Sequence, residues 1–367
     1  MRVALYCGHN FMPWGPQSLW KGIGGSEEAA ILVTRELARL GCDVTVYADL
    51  EPGAQGVHDG VRWLPYESFG SEQPGDVFIA WRTAAYVELA DGWSQVHHWL
   101  HNRQDEPYPA HITPRVDRLF VVSRSHATDS GFSPREREKL YVTSNGLDPR
   151  CFRDAGRNEA DRAIYASCPA RGLLHVLDMW PRIRRAVPTA KLDVYNGFTP
   201  VYEGMAAHYP GLLLMKQWIV ARLDQPGVTF HGMVGQDELA DGFARAGVWV
   251  YPTSTRETSC ITAMKALAMG CIPVTSGIAG VGETLDGRDF GPTHPERSID
   301  DSRWRLWLFR RRVVRAMKEG ASDAWLAKRR AWSAWARERY SWSQVAADWL
   351  ALFREIEASK HPHERVA

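Results

Sequence analysis

The sequence predicts an α/β protein made of two doubly wound domains, each a mainly parallel sheet with helices on both faces. Three observations predict it. Short β-rich runs alternate with amphipathic helical stretches nearly throughout, the pattern of strand–helix–strand crossovers. The 367 residues exceed what one core usually holds. The stretch from Ser144 to Asp161 breaks the alternation with Gly, Pro, Asn and charge and no apolar period.

The first series of expected strands is Val3–Cys7, Val44–Ala48, Val77–Trp81, Val96–Leu100, Leu119–Ser123 and Leu140–Thr143. The second is Ala163–Ala166, Leu192–Tyr195, Val228–His231, Val248–Tyr251 and Ile272–Thr275. Domains are expected over 1–155 and 156–342. The segment around 343–358 has an amphipathic period (Val345, Trp349, Leu352, Phe353, Ile356) and needs a partner surface, expected on the first domain. Ligands are expected beyond the carboxyl ends of both sets of strands.

Composition narrows the function. Lys and Arg number 44 against 43 Asp and Glu, so no global field argues for nucleic acid or membrane. Arg303 to Arg339 is locally basic; a solvated helix face is the plain reading, a surface for an anionic partner the sharper one. The six cysteines form no CxxC pair, which suits reduced thiols in a cytoplasmic protein and neither disulfides nor zinc. The first residues run straight into a strand without a signal-peptide pattern, and no stretch is apolar enough to span a bilayer. For the 16 Trp, core packing is the simpler account and stacking on sugars the alternative.

Chemistry concentrates at strand ends. In Gly247–Gly270 a buried strand, a turn and a helix of small apolar residues follow in order, with Glu257 at the helix mouth. An acid beside open helix amides, which attract phosphate, suits a ligand that is part sugar and part nucleotide diphosphate. After the first strand comes Gly22-Ile23-Gly24-Gly25-Ser26-Glu27-Glu28. Ser26 is the expected N-cap there, and Gly24 and Gly25 permit close approach of a ligand. The spacing does not fit the dinucleotide fingerprint. Arg171 lies at a strand-to-helix turn, where a guanidinium can pair with a diphosphate by two parallel hydrogen bonds. In Val96–Asn102, His97, Trp99 and His101 share one strand face and His98 takes the other; no partner ligand argues for metal, and His101 sits where it can donate to a substrate hydroxyl. Gly232, after the strand Val228–His231, leaves room for a ligand at the next turn.

Taken together, GGSEEAAILVTRELARLGCDVTVYA, HHWLHN, RLFVVSRSH, SNGLDPRCF, SCPARGL, PTAKLDVYNGF, GVTFHGMVGQDELADGFARAGVWVYPTSTRET and ALAMGCIPV resemble, in order and spacing, the retaining nucleotide-sugar-dependent glycosyltransferases of family 4. The resemblance spans nearly the whole chain. It implies the GT-B fold, two Rossmann-like domains facing each other across a cleft. It implies catalytic roles for Glu257, which bonds hydroxyls of the transferred sugar, for Arg171, which neutralises the diphosphate leaving group, and for His101, near the sugar hydroxyls. It implies donor contacts at Gly24, Gly25 and Gly232 and at the amides of Thr258, Ser259, Cys260 and Ile261.

Three positions depart from that pattern. Lys265 stands where the family has a second acid that accepts from the ribose; an ammonium only donates, so ribose is held differently, Lys265 reaches a phosphate, or donor binding is weakened. Cys168 replaces a basic neighbour of Arg171, with Lys139 and Arg124 as conceivable substitutes. Ser259-Cys260 replaces an aromatic-glycine pair. The expected function is metal-independent, retaining glycosyl transfer from a nucleotide-diphosphate sugar with no cofactor. The alternative is a non-catalytic nucleotide-sugar or glycan-binding relative. The acceptor is expected to be a glycan, a lipid-linked or a small molecule, or DNA held by 303–339. The expected location is cytoplasmic, with a peripheral position at the membrane left open.

Overall fold

The computed structural model describes residues 1–71, 73–153, 158–290, 300 and 302–360. The chain divides into two compact units, one comprising Met1–Leu19, Ile23–Gly146 and the segment from Ser341 on, the other Trp20–Gly22 and Leu147–Tyr340. The boundary expected at 155/156 falls outside the described residues.

In the first unit β1 (Arg2–Gly8), α1 (Gly25–Arg39), β2 (Asp43–Ala48), β3 (Gly56–His58), β4 (Val61–Pro65), β5 (Val77–Trp81), β6 (Gln95–Trp99), β7 (Arg118–Val121), α2 (Arg124–Asp129), α3 (Pro134–Glu138) and β8 (Leu140–Val142) follow in order. The sheet order is β3-β4-β2-β1-β5-β6-β7-β8. All pairs are parallel except the β3/β4 hairpin. The chain runs outward from β1 to one side and returns to β5 on the other. The order therefore reverses at β1/β5, where an open α/β sheet leaves a crevice at its carboxyl edge.

The second unit contains β9 (Glu159–Ala166), α4 (Leu173–Ala186), β10 (Lys191–Tyr195), α5 (Pro200–His208), α6 (Pro210–Leu223), β11 (Val228–Gly232), α7 (Gln236–Arg245), β12 (Ala246–Tyr251), α8 (Ile261–Ala268), β13 (Ile272–Thr275), α9 (Gly280–Leu285), α10 (Arg303–Glu319) and α11 (Asp323–Arg339). Its parallel sheet has the order β11-β10-β9-β12-β13, so the reversal falls at β9/β12. The last helix, α12 (Trp342–Lys360), belongs to the first unit.

Alternation within β1 sorts the first unit's core. Val3, Leu5 and Cys7 face α1 and α12, while Ala4 and Tyr6 face an aromatic layer with Tyr47 and Phe78. The amphipathic face read in 343–358 buries Val345, Trp349, Leu352, Phe353 and Ile356. Trp349 meets Trp99 edge-on at 4.8 Å, and its indole N–H donates to Thr143 Oγ1 at 2.8 Å. Full burial of Phe353 contributes about 1.5–3 kcal/mol.

Several expectations need correction. Helix α1 starts at Gly25 with Gly24 as its N-cap, not Ser26. A Cβ on Gly24 would stand 2.3 Å from Glu27 Oε2, so the Glu27 carboxylate folds back over the helix start and serves the dipole there. Strand β7 stops at Val121, because Ser123 leaves the ladder to accept the His126 amide at 2.8 Å and begin α2. The hairpin β3/β4 was not expected. The basic stretch is two helices, and part of its charge is internal. Arg329 is 4 % exposed and donates to the carbonyls of Gly270 and Gly320. Arg312 pairs with Asp289 at 2.6 Å. Core packing accounts for seven of the 16 tryptophans, since Trp63, Trp81, Trp99, Trp180, Trp249, Trp342 and Trp349 are fully buried.

Candidate functional site

The reversal in the second sheet puts the ends of β9 and β12 side by side, and their loops carry the polar groups. After β9 come Ser167, Cys168 and a tight turn, Pro169–Arg171. Gly172 then caps α4 in the left-handed region with φ of +104°. A Cβ there would stand 2.3 Å from the Pro252 carbonyl oxygen, so only glycine lets the two loops meet. After β12, Pro252–Cys260 returns to α8. It is clamped by the Gly280 amide, which donates to the Glu257 carbonyl at 2.9 Å, and by Thr262 Oγ1, which donates to the Ala166 carbonyl at 3.2 Å.

This framework brings Arg171 and Glu257 together, with Nη1 3.1 Å from Oε1. The Glu257 side chain is 8 % exposed, whereas Arg171 keeps 42 % exposed. The Tyr251 hydroxyl donates to the same Glu257 oxygen in a short hydrogen bond and lies 3.1 Å from Ser167 Oγ. The Glu257 charge raises the Arg171 pKa further above its ordinary value. Burial, reinforced by Glu257, raises the Tyr251 phenol and the Cys260 thiol well above theirs, so both stay protonated. The result is an anchored carboxylate beside a guanidinium that still presents part of its surface to solvent. Such a pair can accept hydrogen bonds from hydroxyls on one side and donate to phosphate oxygens on the other.

Other expected donor contacts fall at this edge in different states. Thr258, Ser259 and Ile261 are partly buried along the loop into α8. The Cys260 amide is directed to Thr284 Oγ1 at 3.4 Å. Gly232 ends β11 with φ of +73°, and no atom lies closer than 3.9 Å to its ideal Cβ, so the glycine serves conformation there and not close packing. Lys265 turns inward. It is 4 % exposed, donates to Gln236 Oε1 at 2.6 Å and stands over the Phe152 ring at 5.1 Å.

In the first unit, Gly24 and Gly25 form the start of α1, and Arg82 Nη1 lies 3.3 Å from Glu27 Oε1. Arg82 follows β5 at the carboxyl edge with φ of +63°, an uncommon conformation for a side-chain-bearing residue. His101 is buried against the rings of Trp99 at 4.3 Å and Trp81 at 6.0 Å. Burial, helped by Arg82, lowers its pKa well below the ordinary value, so the ring is a neutral imidazole with a single N–H. His97 is sandwiched between Phe120 and Phe353, each at 5.1 Å, and His98 Nδ1 is 2.8 Å from the Tyr108 hydroxyl. Among the described residues no group of three or more His, Cys, Asp or Glu is placed to hold a metal ion. Lys139, read as a substitute base near Arg171, donates instead to the Val116 carbonyl at 2.6 Å.

Sequence reasoning missed Tyr251, Ser167 and Arg82. Tyr251 and Ser167 had a signal, since both sit at the carboxyl ends of strands where the sheet order reverses. Reading it required the strand order. Arg82 carried no signal, because a left-handed backbone is not written in the residue type.

Residues 164–301 match the family described as Glycosyl transferases group 1. Among curated proteins none matches the chain. Solved structures do. Sucrose-phosphate synthase from Thermosynechococcus elongatus is 15 % identical with a TM-score of 0.66, over 98 % of this chain and 99 % of that one. A glycosyltransferase from Rickettsia africae is 11 % identical with a TM-score of 0.69, over 97 % and 98 %. The Anabaena protein HepE, in complex with UDP and glucose, is 13 % identical with a TM-score of 0.67, over 97 % and 100 %. These likenesses establish the fold that both sheets display. Among the described residues no helix is long and apolar enough to cross a membrane.

Proposed function

We propose that this chain, a glycosyltransferase of GT-B fold whose group 1 domain spans residues 164–301, moves a sugar from a nucleotide diphosphate to an acceptor hydroxyl, with retained anomeric configuration and without a metal or other cofactor. The observation that carries the reading is the Arg171–Glu257 pair at the β9/β12 reversal. As the bond from the anomeric carbon to the donor phosphate oxygen breaks, negative charge grows on the departing diphosphate. Arg171 is the guanidinium that meets it, and stabilisation of such charge by fixed donors is usually the largest catalytic term. Glu257, held by Tyr251, accepts hydrogen bonds from hydroxyls of the transferred sugar and so orients it. The acceptor oxygen bonds to the same face of the sugar, and its proton passes to the donor phosphate, so no protein base is assigned.

Donor contacts extend along Thr258, Ser259 and Ile261 and to Gly232. HepE is described with UDP and glucose, and the catalytic domain of Arabidopsis starch synthase IV with ADP and acarbose, which supports a nucleotide-sugar donor and leaves the base open. We assign acceptor recognition to the carboxyl edge of the first sheet, where Gly24, Gly25 and His101 lie. We place the chain in a reducing, cytoplasmic setting, on the ground that its six cysteines form no CxxC pair.

A thermal-shift screen of nucleotide diphosphates and their sugars tests the donor class, because a ligand that binds only the folded chain raises its melting temperature. Proton NMR of the product then reads the anomer, and activity in a chelator tests metal independence. A donor that binds but is released only as the inverted product sinks the retaining reading.

A further inference from the structure

One layer of the second unit exposes apolar and basic side chains together. Helices α4 and α6 pack against each other, and α10 packs against α4 on the same face of the sheet. Helix α6 is apolar on its outside as well as its inside. Only Ile219 of its residues is buried, while Leu213, Leu214 (48 %), Trp218 (52 %) and Val220 are exposed. Helix α10 buries Phe309, Val313, Ala316 and Met317. Its opposite stripe, at helical spacing, is Trp304, Trp307, Arg311 and Lys318, with Trp304 60 % exposed. Arg311 stands 4.7 Å over the Trp307 ring.

The charge on this layer is one-sided. Helices α4, α5, α6 and α10 contain three acidic side chains, Asp178, Glu203 and Glu319. Each is engaged locally, Asp178 with Arg222 at 2.5 Å, Glu203 with Lys216, and Glu319 with Arg315 at 2.6 Å. Arg182, Arg185, Arg303, Arg311 and Lys318 are exposed beyond those pairs. An exposed apolar patch of this kind marks an interaction surface. Tryptophan beside arginine on one helix face is the composition of an element that lies in a lipid headgroup layer. A polyanion such as DNA would use the arginines but not the neutral face of α6, and a second copy of the chain would bring like charge against like.

We propose that this layer docks on an anionic lipid bilayer, with the exposed side of α6 and Trp304 and Trp307 of α10 entering the headgroup region and the arginines meeting lipid phosphates. Among the described residues no helix is long and apolar enough to cross a bilayer, and the contact proposed is a surface one. The basic side chains supply attraction that salt screens, and the apolar ones supply an increment that salt leaves intact.

The test is co-sedimentation of the full chain with vesicles of phosphatidylcholine alone and of phosphatidylcholine mixed with phosphatidylglycerol. The chain is expected to sediment with the mixed vesicles, to remain in solution with the neutral ones and to be released partly by salt. The pairs Trp304→Ser with Trp307→Ser, and Leu214→Ser with Trp218→Ser, are each expected to lower partitioning about tenfold or more. Arg303→Glu with Arg311→Glu is expected to abolish the anionic preference. These side chains are exposed, so the variants should keep the native melting temperature and nucleotide-diphosphate binding, and a failure here is separable from a failure of the donor reading. Absence of sedimentation with mixed vesicles, or variants that bind like the native chain, overturns the proposal. So does tighter, salt-sensitive retention on duplex DNA, or a dimer in light scattering that Trp218→Ser dissolves.

Discussion

Arg171 and Glu257, 86 positions apart in the chain, stand with Nη1 3.1 Å from Oε1 at the point where the second sheet reverses its strand order. The pair is asymmetric. Glu257 is sunk and held by Tyr251, while Arg171 remains partly open. On the proposed reading a donor phosphate would compete for the guanidinium and leave the carboxylate in place. Arg171→Ala should therefore lower kcat for sugar transfer by the equivalent of ~2–4 kcal/mol. Glu257→Ala should lower transfer more than it lowers affinity for the bare nucleotide diphosphate. Steady-state kinetics and calorimetric titration check both, and an equal loss of transfer and nucleotide affinity in Glu257→Ala would contradict its contact with the sugar.

Tyr251→Phe isolates the anchor. The phenol is protonated by burial and gives its hydrogen to the Glu257 carboxylate. Removing it keeps the ring in the core but leaves a nearly buried charge with one donor fewer. Stability should fall by about 1–3 kcal/mol in urea titrations, and transfer should fall with it as Glu257 loses its fixed orientation. A variant with unchanged activity would show that Arg171 alone holds the acid.

Gly172→Ala tests the turn that presents Arg171. The residue has φ of +104°, and the new methyl would be forced to 2.3 Å from the Pro252 carbonyl oxygen. The conformational cost is about 1–2 kcal/mol before the clash is counted. The prediction is a lower melting temperature together with a loss of turnover, read by calorimetry and the transfer assay. A drop in stability without a loss of turnover would mean that the loop can shift and leave Arg171 in place.

Lys265 separates the three readings left open where the resembled family has a second acid. The ammonium is buried against Gln236 and Phe152, which directs it inward. Lys265→Met keeps the length of the side chain and removes the charge. It should leave affinity for a nucleotide diphosphate unchanged and destabilise the fold by about 1–3 kcal/mol, because the buried hydrogen bond from the ammonium to Gln236 Oε1 is lost. A large loss of nucleotide affinity without a loss of stability would instead place Lys265 on a phosphate.

These sites also show where the sequence is readable. The positions of Arg171 and Glu257 were legible because a charged residue just past an apolar strand of a parallel sheet sits at its carboxyl edge whatever the strand order. Their contact was not, since it depends on β9 and β12 being neighbours across the reversal. The strands themselves were legible as apolar runs bounded by turns. The hairpin of β3 and β4 escaped because its strands are short, at the sheet edge and carry Arg62 and exposed Val57. The α1 cap was misread because Ser26 is a good cap by type, whereas Glu27 reaches the same place from inside the helix. The basic run 303–339 read as surface, yet Arg312 and Arg329 bind carbonyls and a buried acid, which charge counting cannot foresee.

The buried histidines of the first unit make stability depend on pH in a stated direction. Burial lowers the pKa of His97 to about 3 and those of His98 and His126 to about 4, against an ordinary value of 6.5. Between about pH 4 and 6.5 the unfolded chain therefore binds protons that the folded chain refuses, and stability rises with pH across that window. Above it these groups contribute no slope, because both states are neutral. Urea midpoints should fall steadily as the pH is lowered below 6.5. His97→Leu should flatten part of that fall, since leucine fills the space between Phe120 and Phe353 without a titrating group. A His97→Leu chain that keeps the full native slope would show that His97 already titrates in the folded state as it does in water.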